Sequence, residues 1–311
     1  MSKFVDYLLH RPNMLVAALL ARTGGGISDQ LYLKLRYRLI MGTTFHVKNP
    51  KTYNEKINWL KLFDRNPLYT RLADKASVKD YVGARIGERY CIPTIGIYDS
   101  FEEINFNALP DKFVIKSTNG GGGTGVIICR DKSKMNLPKV KSQLEASLNS
   151  DWKTNREWVY KDIKPRYIIE ELLENKDGSD LVDYKFHCFN GVPKLLFVAS
   201  DRYLGKDTLK FDWYDMELNH LPFKSKGYEN STKQMKPFPE FGEMKKVAGM
   251  LSNGIPYVRV DLYLVNGKIY FGEMTFYHDA GFVALQPEEW EYKLGSWIEL
   301  PVNGRENNTT S

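Results

Sequence analysis

Apolar positions recur at helical spacing through Leu31, Leu35 and Leu39 and again through Ile57, Leu60 and Phe63, which predicts a helical stretch over residues 1–72. Basic Lys34, Arg36 and Arg38 crowd the first of these stripes. Between them Asn49-Pro50-Lys51 reads as a loop, and Thr52 with Glu55 three residues later forms a capping box that opens the next helix. A further helix is expected over residues 74–86, followed by a turn at Cys91-Ile92-Pro93. From residue 111 the pattern changes. Two β-rich runs, 113–116 and 126–129, bracket Asn119-Gly120-Gly121-Gly122-Gly123-Thr124-Gly125, a strand, a glycine loop and a strand. A helix over 137–148 follows, then strands over 167–173, 184–189, 195–200, 257–265 and 269–276, with a helix over 240–251 between the last two pairs. No internal repeat is visible, and 303–311 reads as a frayed tail. The mixture predicts an α+β chain.

Composition narrows the class. The 311 residues, 42% hydrophobic and 26% charged and rich in aromatics, are enough for a sizeable core and exclude a disordered chain. A formal charge of +6 suits anionic ligands but is too diffuse for nucleic-acid binding, and no zinc-finger or RNA-binding signature occurs. Cys91, Cys129 and Cys188 are far apart and indicate neither a metal site nor a disulfide framework. The apolar run 14–21 is too short to cross a bilayer and no cleavage site follows a basic start, so the protein is expected to stay in the cytoplasm. Leu8, Leu9, Leu15, Leu19 and Leu20 near Lys3, His10, Arg11 and Arg22 leave two readings open: a helix packed on the domain, or an amphipathic patch at a membrane surface.

Three groups of residues carry chemistry. Consecutive glycines cost backbone entropy, so the loop at Gly120, Gly121, Gly122 and Gly123 with Thr124 must gain from bare backbone. Backbone N–H groups without intervening Cβ atoms can wrap a phosphate, with Lys116 as a point charge beside them; a merely floppy hairpin tip is the alternative. Neither a Walker motif nor a dinucleotide turn fits the spacing. The second group is the ribbon 258–275. Alternation puts Val258, Val260 and Leu262 on one face and Arg259 and Asp261 on the other. A two-residue Asn266-Gly267 turn would carry Glu273 to the aliphatic face. A three-residue loop pairing Leu264 with Lys268 is therefore expected, setting Glu273 opposite Arg259 and diagonal to Asp261. Two converging carboxylates suit Mg²⁺; a cross-strand Arg259–Glu273 ion pair is the bland reading. The third group is a supply of cations: Lys75 and Lys79 four apart on one helix, Lys185 alternating with Asp183 and His187, and Arg202. The strand 168–173 adds a backbone edge for a flat base, with Glu170 and Glu171 beside it.

In order, Ala73-Asp74-Lys75, Val114-Ile115-Lys116 with its glycine loop, Ile169-Glu170-Glu171-Leu172, Arg259-Val260-Asp261 and Glu273-Met274-Thr275 resemble the ATP-grasp superfamily. The phrases 49–56, 183–191 and 271–277 are similar to its teichuronopeptide-biosynthesis, TupA-like branch, and the resemblance covers about residues 45–300. It implies an ATP-grasp fold in which two α+β lobes, 73–165 and 166–302, enclose ATP behind the helical extension, with Mg²⁺ bridging the phosphates. On that resemblance Lys75 and Lys116 hold phosphates, Glu170, Glu171 and Leu172 form the adenine hinge, and Asp261, Glu273 and Thr275 form the metal set. Arg259 would stabilise the transferred phosphoryl group, with Lys185 and Arg202 as further catalytic cations. Thr275 departs from the family, where many members have Asn, and the usual separate N-terminal α/β domain is replaced by helices.

The expected activity is an ATP-dependent carboxylate–amine ligase working through an acyl phosphate, joining an amino acid and a uronic acid in surface-polysaccharide biosynthesis. Two alternatives remain: a glycosyltransferase, whose Asp-x-Asp clue is missing from both 99–101 and 212–215, and a silent nucleotide- or glycan-binding module.

Overall fold

Thr52 and Glu55 do form the capping box, each accepting the other's backbone N–H, at the head of α3 (Tyr53–Phe63) in the computed structural model. The structure describes residues 12–120, 125–148, 152–200, 210–231 and 235–302. Gly121, Gly122, Gly123, Thr124 and Arg202, with Lys3, Leu8, Leu9, His10, Arg11 and the segment 303–311, lie outside the described residues. Before α3 come α1 (Pro12–Thr23) and α2 (Asp29–Met41), the latter closed by left-handed Gly42 at φ 76°. After it come α4 (Leu68–Ala73) and α5 (Val78–Ile86).

The helix expected through Leu31, Leu35 and Leu39 forms as α2, and the helix expected from Asp74 is shortened. Leu31 and Leu35 face outward on α2, at 51% and 43% exposure, while Tyr32, Leu33 and Tyr37 turn inward. Both faces have helical spacing, and the inner one carries tyrosines, whose rings bury as much apolar area as leucine. The helix expected from Asp74 starts instead at Val78. The Asp74 carboxylate accepts from the Ala76 N–H and the Ser77 hydroxyl, and the chain at Asp74 is extended. Lys75 and Lys79 therefore do not share a helix face.

Two antiparallel sheets form the rest. The smaller has the order β1-β4-β2-β3, from β1 (Thr94–Tyr98), β2 (Phe113–Ser117), β3 (Val126–Cys129) and β4 (Tyr167–Glu171). Its inner face packs Phe113, Ile115 and Ile169 on Val140 and Leu144 of α6 (Leu137–Leu148). A short α7 (Trp152–Asn155) follows. The larger sheet has the order β10-β9-β5-β6-β7, from β5 (Asp183–Phe189), β6 (Val192–Ser200), β7 (Lys210–Tyr214), β9 (Tyr257–Val265) and β10 (Lys268–Thr275). A two-stranded pair, β8 (Lys224–Ser225) and β11 (Leu285–Gln286), stands apart. Every residue of β5 is buried, because α8 (Phe241–Ser252) packs on one face and side chains from the N-terminal helices reach the same core. Ile57 and Trp59 of α3 and Tyr32 and Tyr37 of α2 share that core with Phe186, Val258 and Val260. The helical stretch is thus one wall of the larger sheet's interior, with α9 (Glu289–Trp297) beside α3.

The β9–β10 ribbon corrects the expected register. Its turn has two residues, Asn266 at φ 51° and Gly267 at φ 75°, and it pairs Val265 with Lys268. The extra residue sits instead at Gly272, a bulge between the pairs Leu262–Phe271 and Asp261–Glu273. Glu273 therefore lies directly opposite Asp261, and Thr275 lies opposite Arg259. A Cβ on Gly272 would come within 3.0 Å of the Tyr263 ring and 3.1 Å of the Asp261 carbonyl, which explains the glycine. The physical argument against a carboxylate among aliphatic side chains holds, but a bulge rather than the turn satisfies it.

Candidate active site

Alternation along β9 aims Arg259 and Asp261 to the same side, and the neighbouring strands add Lys185, Asp183 and Glu273. Arg259 grips Asp261 with two hydrogen bonds, Nε to Oδ1 at 2.6 Å and a terminal nitrogen to Oδ2 at 2.7 Å. The same nitrogen donates to Glu273 Oε1 at 3.0 Å, and the other terminal nitrogen lies 3.1 Å from His278 Nδ1. Lys185 bridges Asp183 and Asp261. Burial opposes charge on Arg259, yet Asp261 and Glu273 hold the guanidinium well above its ordinary range. Burial likewise pushes Asp261 upward, but Arg259 and Lys185 outweigh it and keep the carboxyl low. Asp183, buried and repelled by Asp261, moves up.

The donor set suits a hard divalent cation. Asp261, Glu273 and Thr275 present two carboxylates and a hydroxyl on one face of the ribbon, and Thr275 Oγ1 lies 3.3 Å from Glu273 Oε1. Their situations differ. The Asp261 side chain is 2% exposed and already accepts from Arg259 and Lys185, whereas Glu273 is 33% exposed. Among the described residues no cluster of three or more His, Cys, Asp or Glu forms a metal site alone, so phosphate and water oxygens would have to complete the shell.

A second cluster lies on the small sheet. Glu170, on β4, accepts from Lys116 Nζ at 2.6 Å on one oxygen and pairs with Lys79 through the other. Lys79 also donates to the Ile92 carbonyl at 2.6 Å. Burial would raise the Glu170 carboxyl, but the two lysines together hold it below the usual range. Its side chain thus orders the cations, while Glu171, at the strand end, is exposed and Leu172 begins the connection beyond. Lys75 joins the two clusters. Its Nζ donates to the Gly120 carbonyl at the root of the glycine loop, and its N–H is held by the Thr118 carbonyl at 3.1 Å. Burial lowers its ammonium and Lys116 adds to the lowering, while Glu273 on the ribbon is the strongest opposing charge, ahead of Asp74 and Glu170.

The roots of the glycine loop are built for close approach. A Cβ on Gly120 or Gly125 would collide with Ser117 Oγ, and that hydroxyl is buried without a hydrogen-bond partner among the described residues. Orphaned polar atoms of this kind suit a site that a ligand completes.

The structure brings together Lys75, Lys116, Gly120 and Glu170 in one group and Lys185, Arg259, Asp261, Glu273 and Thr275 in the other, with Lys75 between them. Two participants, His278 and Gly272, escape sequence reasoning, and Lys79, expected among the cations, gains a partner in Glu170 that nothing near it in the chain marks. His278 sits in a loop without periodicity. Gly272 signals its bulge only by being a glycine inside a strand.

The family model described as TupA-like ATPgrasp matches residues 55–299 of this chain. No curated protein matches it. Among solved structures, the chain is similar to D-alanine–D-alanine ligase from Bacillus anthracis complexed with ATP, at 15% identity over 66% of this chain and 53% of that one, with a TM-score of 0.38. The D-alanine–D-alanine ligase from Helicobacter pylori matches at 13% identity over 79% and 69%, with a TM-score of 0.39. The biotin carboxylase domain of 2-oxoglutarate carboxylase from Hydrogenobacter thermophilus, solved with MgADP and bicarbonate, matches at 14% over 94% and 58%, with a TM-score of 0.38. The chain spans little more than half the length of the first of these, 53%.

Proposed function

Because the chain belongs to the TupA-like ATP-grasp family, whose model spans residues 55–299, we propose that it is an ATP-dependent carboxylate–amine ligase. The observation that carries this reading is Lys75, which touches the root of the glycine loop while its charge is set against Glu273 on the ribbon. One triphosphate lying along that line would meet loop N–H groups, Lys75 and Lys116 on one side and the carboxylates on the other. Mg²⁺, held by Glu273 and Thr275 with Asp261 behind them, would neutralise phosphate charge.

In this reading a substrate carboxylate oxygen attacks the γ-phosphorus and ADP leaves. The amine then attacks the acyl carbon, loses a proton and expels phosphate. Arg259, fixed by Asp261 and backed by His278, offers its remaining N–H capacity to the charge that develops on the phosphoryl oxygens. Lys185 keeps Asp261 ionised. β4 is paired on both sides, so the adenine would lie not on its edge but against the connection that leaves it at Glu171 and Leu172. Cytoplasmic ATP supplies the reaction, and the surplus of cations favours an acidic partner such as a uronic acid or a glycan bearing one, joined to an amino acid in surface-polysaccharide synthesis. Sugar transfer gains no support at 212–215, because Asp212 Oδ1 is occupied by the Ser231 N–H and by His220, both at 2.9 Å.

The test incubates the protein with MgATP and paired uronates and amino acids, following ADP, phosphate and amide by mass spectrometry. ADP release that requires both partners is expected. Consumption of a nucleotide sugar with no ATP turnover would overturn the assignment.

A further inference from the structure

Helix α1 turns only a narrow side inward, with Leu20 half-buried against the core. Met14 to Ala21 is an unbroken run of eight apolar residues, yet Ala17 is the only described side chain of the helix that is buried. Leu15, Val16 and Leu19 are 37%, 52% and 59% exposed, and Leu31 and Leu35 on α2 add two more outward leucines one turn apart. Single exposed leucines are ordinary; five large apolar side chains exposed within 21 residues, three on α1 and two on α2, are more than that and meet water at a cost.

Charge identifies what covers it. Residues 12–51 hold six lysines and arginines, Arg22, Lys34, Arg36, Arg38, Lys48 and Lys51, against the single acid Asp29. That leaves five of the six net positive charges of the whole chain in these forty residues. Asp29 is itself neutralised by Arg65 and Arg156, each at 3.0 Å. Lys34 and Arg38 are exposed, one turn apart, and flank the Leu31–Leu35 stripe; Arg22 is exposed at the end of α1. Where α1, α2 and α7 meet, a groove of about 820 Å³ combines an apolar wall of Met14, Ala18 and Ile40 with the cations Arg22, Arg36 and Lys153. Long basic side chains beside apolar ones can lay their stems on hydrocarbon and their heads on phosphate. A second copy of this chain would bring the same positive charge to the contact and be repelled. A bilayer with anionic lipids offers both hydrocarbon and diffuse negative charge. Among the described residues no helix is long and apolar enough to cross it, so α1 would lie in the interface.

We propose that α1 and α2 dock this protein on an anionic lipid bilayer, with Leu15, Val16 and Leu19 at the headgroup boundary and Arg22, Lys34 and Arg38 on lipid phosphates. The docking needs no nucleotide, so it stands or falls separately from the ligase reading.

The experiment is co-sedimentation of the full chain with vesicles of phosphatidylcholine alone or mixed with phosphatidylglycerol. Binding to the mixed vesicles is expected, falling about tenfold when salt rises from roughly 0.1 M to 0.5 M. The double variant Leu15→Glu/Leu19→Glu should lower the bound fraction at least about tenfold, and Arg22→Glu/Lys34→Glu should abolish the preference for anionic lipid. Circular dichroism and ATP turnover of both variants, at exposed sites remote from the catalytic groups, are expected to match wild type. Absence of binding to mixed vesicles, equal binding to neutral ones, or unchanged binding by the folded variants would overturn the proposal. So would a concentration-dependent dimer that the leucine variants dissociate.

Discussion

Asp261 and Glu273 face each other across the ribbon and carry the same charge, but their surroundings assign them different work. Asp261 is enclosed and holds Arg259 and Lys185, so Asp261→Asn leaves two buried cations short of their counter-charge. Breaking a buried pair this way costs about 3–5 kcal/mol. The variant is expected to lose turnover and melt well below wild type. Glu273 is one-third exposed and makes one bond to Arg259 at 3.0 Å, so Glu273→Gln should lose turnover with a melting temperature within about 3 °C of wild type. Thermal melts beside ATP-turnover assays decide it. Equal melting temperatures would mean that Asp261 has no structural share.

Helix α3 shows how an element that carries no candidate catalytic residue disciplines a loop beside one. Asn54, Asn58 and Lys61 fall on one buried stripe and donate to the carbonyls of Val283, Gly281 and Ala280 at 2.9, 2.8 and 2.6 Å. These bonds clamp a loop in which Asp279, Ala280 and Gly281 are all left-handed, at φ 47°, 52° and 66°. The loop follows β10 directly and sets His278 against Arg259. Lys61 is fully enclosed and burial draws it down to about 7, with Glu157 opposing; its ammonium also lies 4.7 Å from the centre of the Phe282 ring. Gly281→Ala would add a Cβ 2.8 Å from Asn58 Nδ2 and 2.9 Å from Ile57 Cγ2, in a conformation alanine disfavours. It is expected to cost about 2 kcal/mol and to lower kcat while the KM for ATP holds, because the loop touches Arg259 and not Lys75 or Lys116, the lysines proposed to meet the nucleotide. An unchanged kcat would disconnect α3 from the site.

For the molecule as a whole, the buried histidines make acid the natural stress. Burial, with Arg259 nearby and Asp279 opposing, holds His278 down to about 4 from its ordinary 6.5. His187, buried against His278, is also lowered. Between pH 6.5 and about 4 the unfolded chain takes up a proton at residue 278 that the folded chain refuses. Stability therefore falls as pH falls through that window, by roughly 3 kcal/mol for this residue. Buried acids that shift upward, such as Asp183, act in the opposite direction, so the comparison must be differential. His278→Asn should flatten the curve of melting temperature against pH between 7 and 4.5 relative to wild type. Parallel curves would show that His278 does not titrate with folding.

Local chemistry sufficed for much of this. The capping box at Thr52, the helix 137–148, the strands 126–129 and 257–265, the side-by-side direction of Arg259 and Asp261, and the order of the motifs that resemble ATP-grasp proteins were all legible, because each depends on neighbours within a few residues. Periodicity alone could not say which side of α2 is inward, since Leu31–Leu35 and Leu33–Tyr37 have the same spacing. It could not place the extra residue of the ribbon, which lies at Gly272, where a Cβ would crowd the Tyr263 ring and the Asp261 carbonyl, and not in the turn. Nor could it pair Glu170 with Lys79 and Lys116, or Lys75 with Gly120. Spacing along a chain relates the faces of one element to each other; which face is buried, and which charges meet, depends on sheets and helices that come together only when the whole chain has folded.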